Sequence, residues 1–280
     1  MPSPLTNTPD LWLPRFPWPA EDGHKHDRGR LYVVSGGTSH TGAARMAARA
    51  GLRVGAGLVT VLTPPAALLV NAAALEAVMV RAFDSPEQLV AKADRASAVV
   101  IGPAAGVGED TAANVLALAG TDAALVLDAD ALTSFQDNPD RLFDALTERH
   151  VLTPHEGEFE RLFPNLIGEL GREAAAQAAA KRSGAVILLK GPETLIAHPD
   201  GSTVVNRHAS PFLATAGAGD VLAGLISGLL AQGMNSLYAA SAAAWMHGDA
   251  ARRYGPGLIA EDLPDVIPAV LRDLHATAFG

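Results

Sequence analysis

The sequence predicts a three-layer α/β/α protein with a central, mostly parallel sheet. Short apolar runs alternate with longer Ala-rich segments of helical pattern through most of the chain, and this alternation is typical of βαβ units. The chain has 280 residues, of which 49% are hydrophobic and 18% charged, enough to bury one large core. Only 5% are aromatic, against 27 glycines, so we expect helices to pack closely on the sheet through small side chains.

Predicted strands and helices alternate from residue 31 onward. Strands are expected at residues 31–35, 58–63, 77–80, 98–101, 124–127, 150–152 and 185–189, and helices at 43–54, 86–93, 110–119, 139–148, 171–183, 219–232, 235–253 and 262–274. Apolar segments near 193–206 flank the turn sequence Pro199-Asp200-Gly201 and predict an antiparallel hairpin. We expect residues 1–28 to form an extended, Pro-rich leader or linker, and residues 29–280 to form one domain.

Composition and charge exclude several classes of function. The chain has no cysteine, which rules out a disulfide framework, a Cys-ligated zinc site and a thiol nucleophile. Its formal net charge of −9 argues against a broad nucleic-acid-binding face. The longest strongly apolar run, 221–231, is too short to cross a bilayer, and prolines interrupt the N-terminal region where a targeting signal would lie. We therefore expect a cytoplasmic protein with no nucleic-acid or membrane partner.

Glycine, carboxylate, His and Lys residues concentrate immediately after the predicted strands. In a parallel sheet these positions share one edge, where ligands bind. The segments concerned are 35–42, 102–106, 128–130, 153–158, 190–191 and 215–220. A purely structural protein has no reason to place all of them there, so the sequence predicts a ligand site at this edge.

The segment 216–220, Ala-Gly-Ala-Gly-Asp, gives the sharpest signal. Gly217 and Gly219 allow close backbone approach, and the helix predicted to begin near Asp220 directs free N–H groups into the loop, where they can bind an anion. Asp220 is equally well explained as the N-cap of that helix. The chain has neither G-x-x-x-x-G-K-[ST] nor a G-x-G-x-x-G after its first strand, which disfavours a P-loop or a standard dinucleotide fold.

His155 and Glu158 lie three residues apart at the start of a predicted helix and can meet a ligand together. The same segment fits a helix cap, with Thr153 as N-cap, Pro154 at the first helical position and Glu156 completing a capping box. We expect that cap to form and to direct His155 into the site.

Lys190 and two aspartates add charge at the same edge. Lys190 ends a strand, where its ammonium can meet a phosphate or lie on the surface as most lysines do. Asp128 and Asp130 can serve a magnesium site directly or through water, and Asp130 can equally cap the next helix.

Taken in order, seven segments resemble the NAD(P)H-hydrate dehydratase family of the ribokinase-like superfamily. They are 29–37 (Gly-Arg-Leu-Tyr-Val-Val-Ser-Gly-Gly), 41–44 (Thr-Gly-Ala-Ala), 55–60 (Gly-Ala-Gly-Leu-Val-Thr), 128–132 (Asp-Ala-Asp-Ala-Leu), 153–158 (Thr-Pro-His-Glu-Gly-Glu), 189–191 (Leu-Lys-Gly) and 213–224 (Leu-Ala-Thr-Ala-Gly-Ala-Gly-Asp-Val-Leu-Ala-Gly). Each is weak alone, but together they make the resemblance specific. It runs from about residue 27 to residue 274 and implies a ribokinase-like fold.

The resemblance implies an enzyme that repairs NADH and NADPH after water has added across the nicotinamide 5,6 double bond. In the family's proposed course the C6 hydroxyl of the hydrate is phosphorylated and phosphate is then eliminated. The implied substrates are hydrated NAD(P)H and ADP (or ATP), with Mg²⁺ as cofactor. Because relatives tend to assemble, we also expect a homo-oligomer.

The resemblance also assigns roles to individual residues. Asp220 is implied as the base that deprotonates the hydroxyl and as part of the substrate site, while Gly217 and Gly219 offer N–H groups to the transferring phosphoryl group. The remaining assignments are Lys190, Gly191, Pro192, Glu193 and Thr194 for the nucleotide, Ala43, Gly106 and His155 for the hydrated substrate, and Glu158 for magnesium.

Three positions depart from the family's pattern. Ala104 and Phe212 stand where relatives often have glycine, which restricts the backbone, and Ala218 lacks a hydroxyl that could contact phosphate. Two other interpretations stay open: a ribokinase-like kinase of a small alcohol, such as a vitamin precursor, and a nucleotide-binding protein without catalysis. The leader resembles the linker to an NAD(P)H-hydrate epimerase in fused members, so a free-standing enzyme and part of a fusion both fit the sequence.

Overall fold

The computed structural model describes residues 3–280. Their strands are β1 (Leu5–Thr6), β2 (Arg30–Val34), β3 (Leu58–Thr63), β4 (Met79–Ala82), β5 (Ala98–Ile101), β6 (Ala124–Leu127), β7 (Val151–Leu152), β8 (Val186–Leu189), β9 (Thr194–Ala197) and β10 (Thr203–Asn206). Their helices are α1 (Pro9–Trp12), α2 (Gly42–Arg53), α3 (Leu68–Ala74), α4 (Pro86–Lys92), α5 (Glu109–Ala119), α6 (Asp130–Thr133), α7 (Asp140–Phe143), α8 (Glu156–Leu162), α9 (Leu166–Leu170), α10 (Arg172–Ser183), α11 (Ala218–Ala231), α12 (Ser236–Tyr254) and α13 (Leu263–Phe279).

These strands form one sheet in the order β1-β10-β9-β8-β7-β6-β5-β2-β3-β4. β9 runs antiparallel to both of its neighbours, and the other pairings are parallel. The β9–β10 connection closes with a hydrogen bond from the Gly201 N–H to the His198 carbonyl, so the predicted hairpin is confirmed. The parallel part of the sheet places the ends of β2 to β8 along one edge.

Helices cover both faces of the sheet, and strand alternation explains why. In β2, Leu31 and Val33 pack into one core with α2, α11, α12 and α13, whereas Tyr32 and Val34 pack into a second core with α4, α5, α8 and α10. Successive side chains of a strand point to opposite faces, so every central strand contributes side chains to both cores. The predicted three-layer α/β/α fold is confirmed.

The helices α2 and α11 pack against each other through glycine. A Cβ on Gly224 would lie 2.2 Å from the Ala47 carbonyl oxygen. A Cβ on Gly228 would lie 2.8 Å from the Gly51 carbonyl oxygen. Close packing through small side chains, as expected from the composition, therefore fixes the position of α11, which begins at the ligand edge. No helix among residues 3–280 is long and apolar enough to cross a membrane.

The predicted leader is not extended throughout, because its first half packs onto the domain. β1 pairs with β10, and Trp12 of α1 is completely buried. The Trp12 indole donates to Asn7 Oδ1 over 3.1 Å, and Asn7 Nδ2 donates to Asn206 Oδ1 over 2.9 Å. Burial of an aromatic ring and a satisfied amide hold this segment in place. The domain boundary at residue 28 stays a prediction.

Several element bounds differ from the sequence-based prediction. The helix expected at 139–148 consists of α7 followed by tighter turns, in which the Ala145 and Leu146 N–H groups donate to carbonyls three residues earlier. The strand expected at 77–80 begins two residues later, and α3 and α9 were not predicted. All of these differences lie at short elements, where periodicity carries little information.

Candidate active site

Charged side chains that follow three neighbouring strands converge at the predicted edge. Asp128 follows β6, Glu158 lies in α8 after β7, and Lys190 follows β8. The Lys190 ammonium lies 2.8 Å from Asp128 Oδ1 and 3.8 Å from Glu158 Oε2. Both carboxylates are buried. Lys190 is therefore part of a buried ion cluster and not a surface lysine.

Asp128 is presented by a strained turn. Its neighbour Ala129 has φ +48° and ψ −115°, a conformation that costs an L residue of order 1–3 kcal/mol. Thr153 Oγ1 donates to Asp128 Oδ1 over 2.8 Å. The turn also directs Asp130 away from the cluster. Asp130 Oδ2 accepts a hydrogen bond from the Gly106 N–H over 2.8 Å. Asp130 thus holds the 102–108 loop rather than capping α6.

Asp220, the third residue of α11, has an unusually basic carboxylate. Burial, and after it the negative charge of Asp128, raises the pKa of Asp220 to about 6, although Lys190 acts in the opposite direction. Burial opposes the charge on Lys190, but Asp128, Glu158 and Asp220 outweigh it and raise the pKa of Lys190 above its usual value. At neutral pH the cluster therefore holds an ionised carboxylate, a stronger base than a free aspartate, near a fixed cation.

A capping box fixes the orientation of His155, but not the box that the sequence predicted. His155 is itself the N-cap of α8: its Nδ1 accepts from the Glu158 N–H over 3.2 Å, and Glu158 Oε2 accepts from the His155 N–H over 2.8 Å. The expected cap by Thr153 and Glu156 is wrong, because the Thr153 hydroxyl bonds Asp128 instead. Since Nδ1 accepts, the neutral ring carries its proton on Nε2.

The N-terminus of α11 forms a backbone cradle beside the ion cluster. Gly217 has φ +90°, and a Cβ there would lie 2.6 Å from Met46 Cε, so this turn requires glycine. A Cβ on Gly219 would lie 3.6 Å from Lys190 Nζ and 3.8 Å from Asp128 Oδ2. The free N–H groups of the helix and the Lys190 ammonium thus face the same space, an arrangement suited to phosphate.

A cavity of about 640 Å³ opens beside this cradle. Five of the residues that the sequence predicted for nucleotide binding line it: Lys190, Gly191, Pro192, Thr194 and Gly219. Glu193 and Gly217 are not among its lining residues, and the Glu193 carboxylate instead pairs with Arg207 over 2.7 Å. Apolar residues such as Leu213 and Leu222 complete the walls. The volume suits a nucleotide-sized ligand.

His247 is a residue of this cavity that the sequence analysis did not single out. It lies in α12, lines the cavity and is almost completely buried. Its Nε2 has no hydrogen-bond partner within the described part of the chain. Burial, together with the positive charge of Lys190, lowers the pKa of His247 to about 4, so the ring is neutral. Only the fold brings this helix to the site; no local spacing indicates it.

The residues predicted for the hydrated substrate lie on the other side of the cluster. Ala43 is the second residue of α2, and Gly106 lies in the loop after β5 with φ +91°. The loop that leads from β2 to α2 touches the loop after β5, because a Cβ on Gly36 would lie 1.8 Å from the Ala104 carbonyl oxygen. Ala104 itself has φ +54°, a left-handed conformation that favours glycine.

Carboxylates at the cradle fit a magnesium ion that arrives with a nucleotide. Within residues 3–280 no group of three or more His, Asp or Glu side chains is arranged to hold a metal ion alone. Mg²⁺ is commonly bound by one or two carboxylates together with substrate phosphates, and Asp128 and Glu158 supply such oxygens beside the cradle. Glu158 uses one oxygen in the α8 cap, and its other oxygen lies 3.3 Å from His155 Nε2, so a metal at Glu158 would replace the His155 contact.

The three-layer fold and a Gly-x-Gly-Asp helix start facing a lysine define a ribokinase-like protein. A ribokinase-like superfamily protein from Enterococcus faecalis superposes with a TM-score of 0.84 at 27% identity, covering 96% of both chains. The model of the NAD(P)H-hydrate dehydratase family matches residues 31–267. The chain belongs to this family, and the resemblance seen in the sequence is confirmed.

Named relatives agree with this assignment. An ADP-dependent (S)-NAD(P)H-hydrate dehydratase from Xanthomonas campestris is 35% identical over 91% of this chain and 92% of its own length. The bifunctional NAD(P)H-hydrate repair enzyme of Salinibacter ruber is 40% identical over 90% of this chain. This chain spans about half the length of such bifunctional relatives. An ADP/ATP-dependent NAD(P)H-hydrate dehydratase from Bacillus subtilis, co-crystallised with ATP/Mg²⁺, superposes with a TM-score of 0.83 at 26% identity, covering 98% of this chain and all of its own.

Proposed function

We propose that this chain is an ADP- or ATP-dependent (S)-NAD(P)H-hydrate dehydratase. The observation that carries the proposal is the position of Asp220, a carboxylate of raised pKa at the N-terminus of α11, beside Lys190 and the nucleotide-sized cavity. The names of the Xanthomonas and Bacillus relatives support the same activity.

In the proposed reaction the Asp220 carboxylate takes the proton of the substrate's C6 hydroxyl. The hydroxyl oxygen attacks the terminal phosphorus of the nucleotide, and the bond to the bridging oxygen breaks, which releases AMP from ADP or ADP from ATP. The N–H groups of Gly217 and Gly219 and the Lys190 ammonium stabilise charge on the transferring phosphoryl group. Phosphate then leaves C6 with the C–O bonding electrons, C5 loses a proton, and the 5,6 double bond is restored.

The flanking residues divide into two subsites in this proposal. Lys190, Gly191, Pro192 and Thr194, which line the cavity, contact the nucleotide, and Ala43, Gly106 and His155 contact the hydrated dinucleotide. A role for Glu193, which lies in the same turn but does not line the cavity, stays a prediction. Mg²⁺, when bound with Glu158 as a ligand, neutralises phosphate charge and helps to orient the terminal phosphoryl group. The His155 ring is half-exposed, and its Nε2, which carries the proton, lies 3.3 Å from Glu158 Oε1, so donation to the substrate would replace that contact.

We also propose an NAD(P)H-hydrate epimerase as the functional partner, in the same or a separate chain. Hydration creates a stereocentre at C6, and an enzyme specific for the S form leaves the R form unrepaired unless it is epimerised. The bifunctional relatives, about twice as long as this chain, support this partnership. A homo-oligomeric state and a cytoplasmic location stay predictions.

The activity is tested by adding the protein, Mg²⁺ and either ADP or ATP to hydrated NADH. We expect the near-ultraviolet absorbance of the dihydropyridine to rise only when nucleotide is present, with stoichiometric release of phosphate. Comparison of the two nucleotides identifies the phosphoryl donor. Binding of nucleotide without any rise would contradict the dehydratase and favour a small-alcohol kinase, which a screen of alcohol substrates would then identify.

A further inference from the structure

A second cavity lies at the same edge of the sheet, across the ion cluster from the nucleotide cavity. Its volume is about 440 Å³, and its lining includes Ser35, Phe83, Asp84, Ile101, Ala105 and Asp110. These residues end β5, follow β2, β4 or β5, or lie in the first turn of α5. A cleft of this volume falls within the range of small-molecule sites.

Two lining residues of this cavity belong to the loops that contact the substrate in the proposed function. Ser35 begins the glycine-bearing loop that leads to Ala43, and Ala105 directly precedes Gly106. In the sheet order β7-β6-β5-β2, three strand spacings separate the His155 segment from the end of β2, which is about 14 Å. A substrate whose nicotinamide lies at Asp220 cannot extend into the nucleotide cavity, because the phosphoryl donor occupies it. The cavity after β2–β5 lies along this edge on the side away from the phosphoryl donor.

We propose that this cavity binds the adenosine half of the hydrated dinucleotide and favours hydrated NADH over hydrated NADPH. This proposal rests on the proposed function and deepens it by naming the preferred substrate. Val34, Phe83 and Ile101 supply an apolar wall for a purine. Asp84 and Asp110 lie at the cavity, and no Lys or Arg is among its lining residues.

Charge at the cavity decides between the two substrates. Carboxylates accept hydrogen bonds from ribose hydroxyls, which is how many NAD-binding sites read the 2′-OH. A 2′-phosphate at the same place brings a like charge and needs a cationic partner that the cavity lining does not offer. Hydrated NADPH is therefore expected to bind less well than hydrated NADH.

The first experiment changes the charge at the cavity and leaves its shape intact. For the unmodified protein we expect kcat/KM for hydrated NADH to exceed that for hydrated NADPH by about fivefold or more, the effect of one close like-charge contact even in solvent. The double variant Asp84→Asn/Asp110→Asn should bring the two values together and leave KM for ADP unchanged. Glu109→Gln is the matched control, because Glu109 shares the first turn of α5 but pairs with Arg141 outside the cavity.

The second experiment fills the cavity. Ala113→Phe places a ring in the cavity from α5, whereas Ala117→Phe, one turn later on the same helix, does not line it. We expect Ala113→Phe to raise KM for hydrated NADH at least tenfold and to leave turnover of hydrated nicotinamide mononucleotide, in its reduced form, unchanged. The control variant should affect neither substrate, and thermal unfolding of both variants checks that the domain is intact.

The outcomes separate the subsite from the proposed function. Equal losses on the dinucleotide and the mononucleotide, or no loss on either, would place adenosine elsewhere and overturn the subsite while leaving the dehydratase standing. An unchanged NADH-to-NADPH ratio in the double Asn variant would overturn the role of Asp84 and Asp110. If the unmodified protein dehydrates neither hydrate, the proposed function fails and the subsite fails with it.

Discussion

Replacement of Asp220 by Asn is expected to stabilise the protein while strongly lowering its turnover. The pKa of Asp220 rises from 3.8 to about 6 because the fold buries the carboxylate near Asp128. A rise of about 2 units corresponds to roughly 3 kcal/mol of destabilisation when the group is ionised. Partial exposure of the side chain and the favourable helix N-terminus reduce the gain from removing the charge, so we expect about 1–2 kcal/mol at pH 8.

The pH dependence gives this prediction its sign. A raised folded-state pKa favours the protonated form, so the unfavourable contribution of Asp220 is fully present above about pH 6 and vanishes below pH 3.8. The stability difference between Asp220→Asn and the parent protein should therefore be constant above about pH 7 and fall to about half by pH 5. Urea unfolding from pH 5 to 8 measures it, and the melting temperature at pH 8 should rise by about 2–5 °C.

Asp265→Asn provides the matched control, since Asp265 is the third residue of α13 as Asp220 is of α11. Asp265 is exposed and pairs with Arg49 and Arg53, so its replacement should destabilise slightly and never stabilise. Turnover of Asp220→Asn should fall by about 10²–10⁴, the value of a general base, with little change in nucleotide affinity. Loss of stability at pH 8, a gain independent of pH, or retained turnover would refute the reasoning.

Three other substitutions test the site around Asp220. Asp128→Asn removes a like charge, so the acid limb of the pH–rate profile should move below about pH 6 by about one unit; a limb that stays in place or rises contradicts the cluster. His155→Ala should raise KM for the hydrate more than for the nucleotide and lower stability by about 1 kcal/mol through loss of the α8 cap, and the reverse order of KM effects would exchange the two subsites. Ala104→Gly relieves a left-handed alanine at φ +54° and should raise stability by up to about 1 kcal/mol in thermal unfolding; a lower melting temperature would show that the methyl group packs usefully.

The sequence predicted the site where a local pattern determines it. The Gly217–Asp220 loop and Lys190 were expected at the ligand edge, because both follow from where strands and helices begin and end. The Asp128–Lys190 ion pair joins residues 62 positions apart. No local sequence pattern indicates which carboxylate pairs with a given lysine. The α8 cap was assigned two residues too early for the same reason: Thr153 is a good N-cap residue, but its hydroxyl donates to Asp128 instead.

His247 and Ala129 show a second limit of sequence reasoning. A buried histidine in the middle of an Ala-rich helix has the sequence pattern of a core residue, and only the packing of α12 behind α11 places it in the nucleotide cavity. The positive φ of Ala129 is invisible in composition, since alanine does not favour that conformation. Both features depend on the assembled sheet.

The charges of the buried groups in the site depend on one another. Asp220 is basic because burial and Asp128 oppose its charge, while Lys190 acts in the opposite direction, and a pKa of about 6 leaves the carboxylate mostly ionised at neutral pH. If Lys190 moved to a nucleotide phosphate, Asp128 would lose its partner, and a magnesium ion arriving with the phosphates is the kind of charge that would replace it. Binding of the nucleotide and binding of the metal are thus expected to be coupled through Lys190 and Asp128.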